Sequence, residues 1–209
     1  MAHIKPDHHN RFLKKYSDLK SIDLLIADLN GVLRGKRIQT SALEKVFQEG
    51  LLLPASVFAG DITGATVEET GLGIAQGDSD RVCRPIPGTL SKSPWYNKSM
   101  AQVLMTMYEA NGKPFFADPR QVLKRIFGQF QELGFTAVVA VELEFYLLDI
   151  RRDRQKYPQP PISPVTGKRD KNTQVYSVDD LDDYGEFLDQ VAKGAESQGI
   201  PADTALAEY

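Results

Sequence analysis

The run Ala137-Val138-Val139-Ala140-Val141 leads without a break into Glu142-Leu143-Glu144-Phe145-Tyr146-Leu147-Leu148-Asp149. Five successive apolar residues predict a strand buried on both faces. In a strand, side chains i and i+2 share a face and lie about 7 Å apart at Cα. Glu142 and Glu144 then point one way, while Leu143, Phe145 and Leu147 point the other. Two like charges on one face of a central strand are costly unless a positive charge meets them. A bound cation supplies that charge. The plainer alternative is a half-exposed strand that shows its glutamates to water. The apolar run just before Glu142 favours the cation, because a strand buried on both faces has little reason to turn one of them to solvent.

The histidines narrow the choice of cation. All three, His3, His8 and His9, fall in the first nine residues, so the rest of the chain has none. Ligands downstream would be oxygens, which suit Mg²⁺ or Mn²⁺ better than Zn²⁺. Glu208 follows Ala205-Leu206-Ala207 at the end of a further predicted strand over residues 200–208. If that strand lies beside the first, the candidate metal set is Glu142, Glu144 and Glu208. The His8-His9 pair reads more simply as part of a solvated N-terminal tail than as a metal site.

Working outward, Asp118-Pro119 predicts a helix start with Asp at the N-cap and Pro at the first helical position. Val122, Leu123, Ile126, Phe127, Phe130 and Leu133 form its expected buried stripe, and Gly134 its end. A strand over 135–148 follows, then a proline-rich polar loop over 151–174. A helix opens at Asp179 or Asp180, with Leu181, Tyr184, Leu188, Val191 and Ala195 inward and Gly199 closing it. Strand, crossover helix, strand is the start of an α/β layer or barrel.

Before residue 118 the pattern differs. Residues 7–20 carry Phe12, Leu13, Tyr16 and Leu19 at helical spacing. Residues 22–29 and 32–38 read as two strands joined at Asn30-Gly31, a pair that suits a tight type I′ hairpin turn. Ser41-Ala42-Leu43-Glu44 has the form of a capping box, with Leu43, Val46 and Phe47 as apolar face and Gly50 as stop. Residues 60–80 are glycine-rich and acidic. Gly71-Leu72-Gly73-Ile74-Ala75-Gln76-Gly77 has the wrong spacing for a dinucleotide fingerprint and follows no clear strand, so a long loop is expected. Residues 100–109 alternate as a strand, with a turn at Asn111-Gly112. Two strands, a helix and more strands predict a small α+β unit such as a β-grasp.

Composition sets outer limits. The chain has 209 residues, 42% hydrophobic and 25% charged, with a formal net charge of -3. That is enough for one large domain or two small ones, and the charge argues against a nucleic-acid phosphate-backbone binder. A single cysteine, Cys83, rules out an internal disulfide framework and fits a reducing cytoplasm. No apolar run is long enough for a membrane helix, and the first residues lack an apolar signal core.

The 141–149 stretch resembles the first catalytic strand of glutamine synthetases, where a Glu-x-Glu-Phe pattern supplies metal ligands. Ala117-Asp118-Pro119-Arg120 resembles the family's Asp-Pro-Arg helix start, and Ala207-Glu208 the strand bearing the next metal-binding Glu. Thr66-Val67-Glu68-Glu69-Thr70-Gly71-Leu72-Gly73, Gly88-Thr89-Leu90, Ala101-Gln102-Val103-Leu104 and Gln174-Val175-Tyr176-Ser177-Val178-Asp179 resemble the γ-glutamylpolyamine branch of that family. The resemblance implies an α+β chain: a helical arm over 1–20, a β-grasp domain over 21–113, and over 114–209 the first part of an α/β catalytic barrel that is truncated after Glu208. It implies a ligase that phosphorylates the γ-carboxylate of glutamate with ATP and passes the acyl group to an amine. Mg²⁺ or Mn²⁺ would be the cofactor, glutamate and a small amine the substrates, and a homo-oligomer with sites between subunits the working form, with no nucleic acid and no membrane. Ammonia-using members carry Asp-Gly-Ser-Ser where this chain has Phe58-Ala59-Gly60-Asp61-Ile62-Thr63-Gly64. The missing Ser-Ser favours a larger amine such as putrescine. Asp61 is a candidate for the amine pocket, equally readable as an ordinary turn residue, and Tyr176 a second candidate. Two alternatives stand beside this: an ammonia-using glutamine synthetase, and a ligase-derived binding or structural domain without catalysis. The chain by itself is expected to be inactive and to leave apolar strand edges exposed.

Overall fold

The structure is a computed structural model that describes residues 8–95, 99–169 and 174–208. His3 and the rest of residues 1–7 lie outside the described residues, as do 170–173 of the proline-rich loop and Tyr209. The chain divides into two units, Met1–Val138 and Val139–Tyr209.

The first unit is built on strand β1 (Ser21–Ala27), which alternates as a half-buried strand must. Ile22, Leu24 and Ile26 point into the core and are fully buried, while Asp23 points out and pairs with Arg37 at 2.6 Å. Burying each of those aliphatic side chains stabilises the unit by about 1.5–3 kcal/mol. On one side β1 pairs antiparallel with β2 (Leu33–Gln39). On the other it pairs parallel with β6 (Met100–Tyr108). Strands β3 (Leu51–Pro54) and β4 (Asp80–Pro85) complete the order β2-β1-β6-β4-β3, and the short β5 (Ser91–Lys92) pairs with β6. The sheet is therefore mixed. Helices α1 (His8–Lys15) and α2 (Leu43–Glu49) supply Phe12, Leu13, Leu43, Val46 and Phe47 to its core.

Two local expectations are corrected. The hairpin after β1 is present, but its ladder ends at Ala27↔Leu33 and leaves a five-residue loop. Gly31 has φ 75, whereas Asn30 is not in the positive-φ region, so the two-residue type I′ turn is not formed. The Asp28 carboxylate organises the wider loop instead, as described below. The capping box is also absent. A 3-10 turn over Thr40–Ala42 moves the helix entrance past Ser41, and Ala42 stands at the N-cap without a side-chain cap. At the other end Gly50 (φ 88) stops α2 as expected. A Cβ there would lie 2.7 Å from the carbonyl oxygen of Cys83, so only glycine fits.

Residues 55–79 connect β3 to β4 and include the long loop expected over 60–80, which ends one residue earlier because Asp80 opens β4; carboxylates order the connection. The Glu68 carboxylate accepts hydrogen bonds from the backbone N–H groups of Ile74 and Ala75. The Asp78 carboxylate accepts from the N–H and hydroxyl of Ser56, at 3.0 and 2.9 Å.

Helix α3 (Pro119–Glu132) begins as the sequence predicts. Asp118 does more than cap it. One carboxylate oxygen accepts from Arg120 N–H at 2.9 Å. The other accepts from Met107 N–H and the Thr106 hydroxyl, both at 2.7 Å, and Gln121 donates to that hydroxyl at 2.8 Å. Asp118 is only 1% exposed. The anchor ties α3 to β6 by polar contacts. The apolar stripe does not do so: Leu123, Ile126, Phe127, Phe130 and Leu133 are exposed, and Gln121 is the helix's one buried residue.

The second unit departs further from expectation. No strand forms over 139–148 or 200–208. Val141 is 85% exposed and Leu143 86%. A strand needs lateral backbone partners. Among the described residues of this unit the only ladder contact is the isolated bridge Ile162↔Arg169. The helix expected from Asp179 is split into α4 (Val178–Asp183) and α5 (Gly185–Ser197), because Tyr184 leaves the helical region at φ -115 and ψ 19. Ser177 caps α4 by accepting from Asp180 N–H. Neither helix has a fully buried residue; of the expected inward stripe Leu181, Tyr184, Leu188 and Ala195 are half-buried and Val191 is exposed. The base of the proline-rich loop is held by an Asp149–Arg169 ion pair.

Candidate functional site

The candidate residues fall in both units. Glu142 and Glu144 stand on the unpaired 139–148 segment, and Glu208 ends the 200–208 segment; all three are exposed. Their donor chemistry suits a hard divalent cation. Among the described residues, however, no three His, Cys, Asp or Glu side chains are gathered to hold one. The 200–208 segment is tied down just before Glu208, where the Ala207 carbonyl accepts from Tyr176 N–H at 2.7 Å. Tyr176 makes that bond from a left-handed backbone conformation, φ 62, with its ring exposed.

Asp61 is in the first unit, at the head of a small closed loop. Its Oδ1 accepts from the Thr63 hydroxyl at 2.7 Å, Thr63 N–H at 2.8 Å and Ala65 N–H at 3.0 Å. Its own N–H donates to the Ala65 carbonyl at 2.8 Å. The Thr63 hydroxyl, and next the Ala65 amide, hold its carboxyl below the usual range, so it is ionised at neutral pH. The turn role is thus present in the geometry. Among the described residues no Lys or Arg pairs with the carboxylate.

Sequence reasoning missed the group beneath this loop. Asp28 is buried at 4% exposure. Its carboxylate accepts from the N–H groups of Asn30 and Val32, each at 2.9 Å, and from Arg34 Nε at 3.0 Å. Burial alone would raise its pKa; the Val32, Arg34 and Asn30 donors outweigh that and leave it lowered. Asn30 then donates from Nδ2 to the Gly60 carbonyl at 2.8 Å, next to Asp61. The signal was available in Asp28-Leu29-Asn30-Gly31, where an Asp two residues before Asn suits a side-chain-to-backbone turn.

Residues 116–209 match the family model described as glutamine synthetase, catalytic domain. With the relatives that follow, this places the chain in the glutamine synthetase family. It is 47% identical over 198 residues to γ-glutamylputrescine synthetase PuuA of Escherichia coli strain K12, a match over 95% of this chain and 42% of that protein. It is 28% identical over 207 residues to a glutamate–isopropylamine ligase of a Pseudomonas species, again 95% of this chain and 42% of the relative. The chain thus spans less than half the length of these relatives. A solved glutamine synthase homologue superposes with a TM-score of 0.65 over 91% of this chain and 41% of its own, at 13% identity, which shows a shared fold.

Proposed function

We propose that the whole protein is an ATP-dependent ligase that joins the γ-carboxylate of glutamate to putrescine or another polyamine. The observation that carries this reading is the 47% identity to a γ-glutamylputrescine synthetase over 95% of the chain. In the proposed reaction a γ-carboxylate oxygen of glutamate attacks the terminal phosphorus of ATP, giving γ-glutamyl phosphate and ADP. The amine nitrogen then attacks the acyl carbon, phosphate leaves with the carboxylate oxygen that had attacked phosphorus, and the nitrogen gives up a proton. Glu142, Glu144 and Glu208 would hold Mg²⁺ or Mn²⁺, which supplies charge neutralisation during phosphoryl transfer. Asp61, ionised and without a cationic partner among the described residues, would receive the cationic amine; Tyr176 is a second, separate candidate for contact with the amine.

The same reading takes residues 21–113 as a β-grasp domain, supported by the mixed sheet with α2 packed on it. It takes 1–20 as an arm and 114–209 as the start of the catalytic domain. It places the enzyme in a reducing cytoplasm, supported by the lone buried Cys83, and in a homo-oligomer with sites shared between subunits. A non-catalytic role is the reading favoured for this chain by itself, because its candidate ligands are not gathered. The test is phosphate release by the whole protein supplied with ATP, Mg²⁺ and glutamate. Release that requires putrescine supports the assignment; equal release with ammonia in its place overturns the polyamine substrate.

A further inference from the structure

The loop that carries Asp61 is attached at its base. Its carboxylate bonds are to Thr63 and Ala65, inside the loop. The Gly64 N–H donates back to the Asp61 carbonyl at 3.0 Å. The loop hangs from the isolated bridge Gly60↔Thr66, and Ile62 at its tip is exposed. A closed ring of this kind fixes the shape of residues 61–65 but not the direction in which they are held out.

The direction is set at that base, where Val67 N–H donates to the carbonyl of buried Ala59 at 2.8 Å, and from the β1–β2 hairpin. Asp28 sits in the wall of the core and binds three donors, two of which lock the backbone on either side of Gly31. Asn30 is thereby fixed at its own N–H, and its side chain spans to the Gly60 carbonyl at 2.8 Å. Arg34, bound to the same Asp28 carboxylate, lies under Gly60: a Cβ there would be 3.6 Å from its guanidinium. One rigid buried carboxylate thus reaches the residue before Asp61 through a single side chain. The Asn-Gly pair, which the sequence suggests for a tight turn, is used for its amide.

We propose that Asn30 is a positioning residue for the amine end of the site, holding the Gly60 carbonyl so that the Asp61 carboxylate is presented to a cationic amine. This rests on the reading of Asp61 given above. Asn30 makes no contact with the substrate; it acts through Gly60. A side-chain hydrogen bond at a solvent-exposed edge lies at the low end of the usual range. Its loss should therefore raise KM for the amine about threefold.

The test compares Asn30→Ala, Asn30→Asp and Asp61→Asn in the whole protein. Asp has the shape of Asn but cannot donate to Gly60, so it should match or exceed the alanine effect. Both Asn30 variants should raise KM for putrescine while kcat and the KM values for glutamate and ATP stay unchanged. Hydrogen exchange should show faster exchange of the Gly64 and Ala65 amides. If Asp61→Asn raises the putrescine KM and neither Asn30 variant does, the positioning role is wrong. If Asp61→Asn leaves that KM unchanged, the Asp61 reading fails first and the inference falls with it.

Discussion

Replacing Asp118 by alanine removes three hydrogen bonds at once, and each loss has a separate magnitude. The bond to Arg120 N–H is the N-cap of α3, worth about 1 kcal/mol. Met107 N–H is fully buried and would lose its acceptor, at a cost of about 1–3 kcal/mol. The Thr106 hydroxyl would keep Gln121 as donor but lose its own acceptor, for about 1 kcal/mol more. Added together these come to about 3–5 kcal/mol, taking the three terms as additive. Because the apolar stripe of α3 is exposed, no packing makes up the loss. With a urea slope of about 2 kcal/mol/M for a unit of this size, the midpoint of the first unit should fall by about 2 M. Circular dichroism on urea titration reads this directly. Asp118→Asn should lie between, since its amide can accept from Arg120 or from Met107 but presents a donor to the other. A midpoint shift below about 0.5 M for Asp118→Ala would show that the buried carboxylate is not what joins α3 to β6.

Burial, and next the charge of Asp118, pushes the Cys83 thiol up to about 12. In the native state it should resist thiol reagents at pH 8 and react only as urea unfolds the chain. Its folded pKa is raised, so the native state holds the proton that the unfolded state loses near pH 8.5. This contribution is complete below that pH and declines as pH rises towards about 12. Asp28 runs the other way. Its folded pKa is lowered, so its contribution is present above the unfolded value of about 3.9 and fades as pH falls through the folded one. The stability gap between the natural protein and Asp28→Asn should be constant near neutral pH and close under acid unfolding. In the whole protein, Glu142→Gln should weaken Mn²⁺ binding by at least about tenfold in a calorimetric titration; unchanged affinity would remove Glu142 from the ligand set.

The first unit was legible in the sequence because its elements are stabilised by near neighbours. Ile22, Leu24 and Ile26 alternate, and the partner strands lie within the same unit. Asp118-Pro119 was legible as a helix start because the cap is local, but its grip on Thr106 and Met107 was not. That grip depends on where β6 passes. The turn at Asn30-Gly31 was placed correctly and typed wrongly, because Asp28, two residues earlier, takes over the backbone donors. Over 139–148 the apolar pattern demands a buried strand, and the described residues provide no ladder for it. Val141 and Leu143 are therefore exposed, and contiguous apolar surface of this kind favours association. Glu142, Glu144 and Glu208 were named from chemistry and resemblance; their convergence depends on lateral strand pairing that this unit does not supply.

In the proposed reaction of the whole protein an amine is acylated through γ-glutamyl phosphate. The most direct measurement supplies the whole protein with ATP, Mg²⁺, putrescine and glutamate labelled with ¹⁸O in its γ-carboxylate. The proposed reaction places one ¹⁸O in each inorganic phosphate released, in step with formation of γ-glutamylputrescine by mass spectrometry. Phosphate released without the label would contradict it, because the glutamate carboxylate would then never have been phosphorylated.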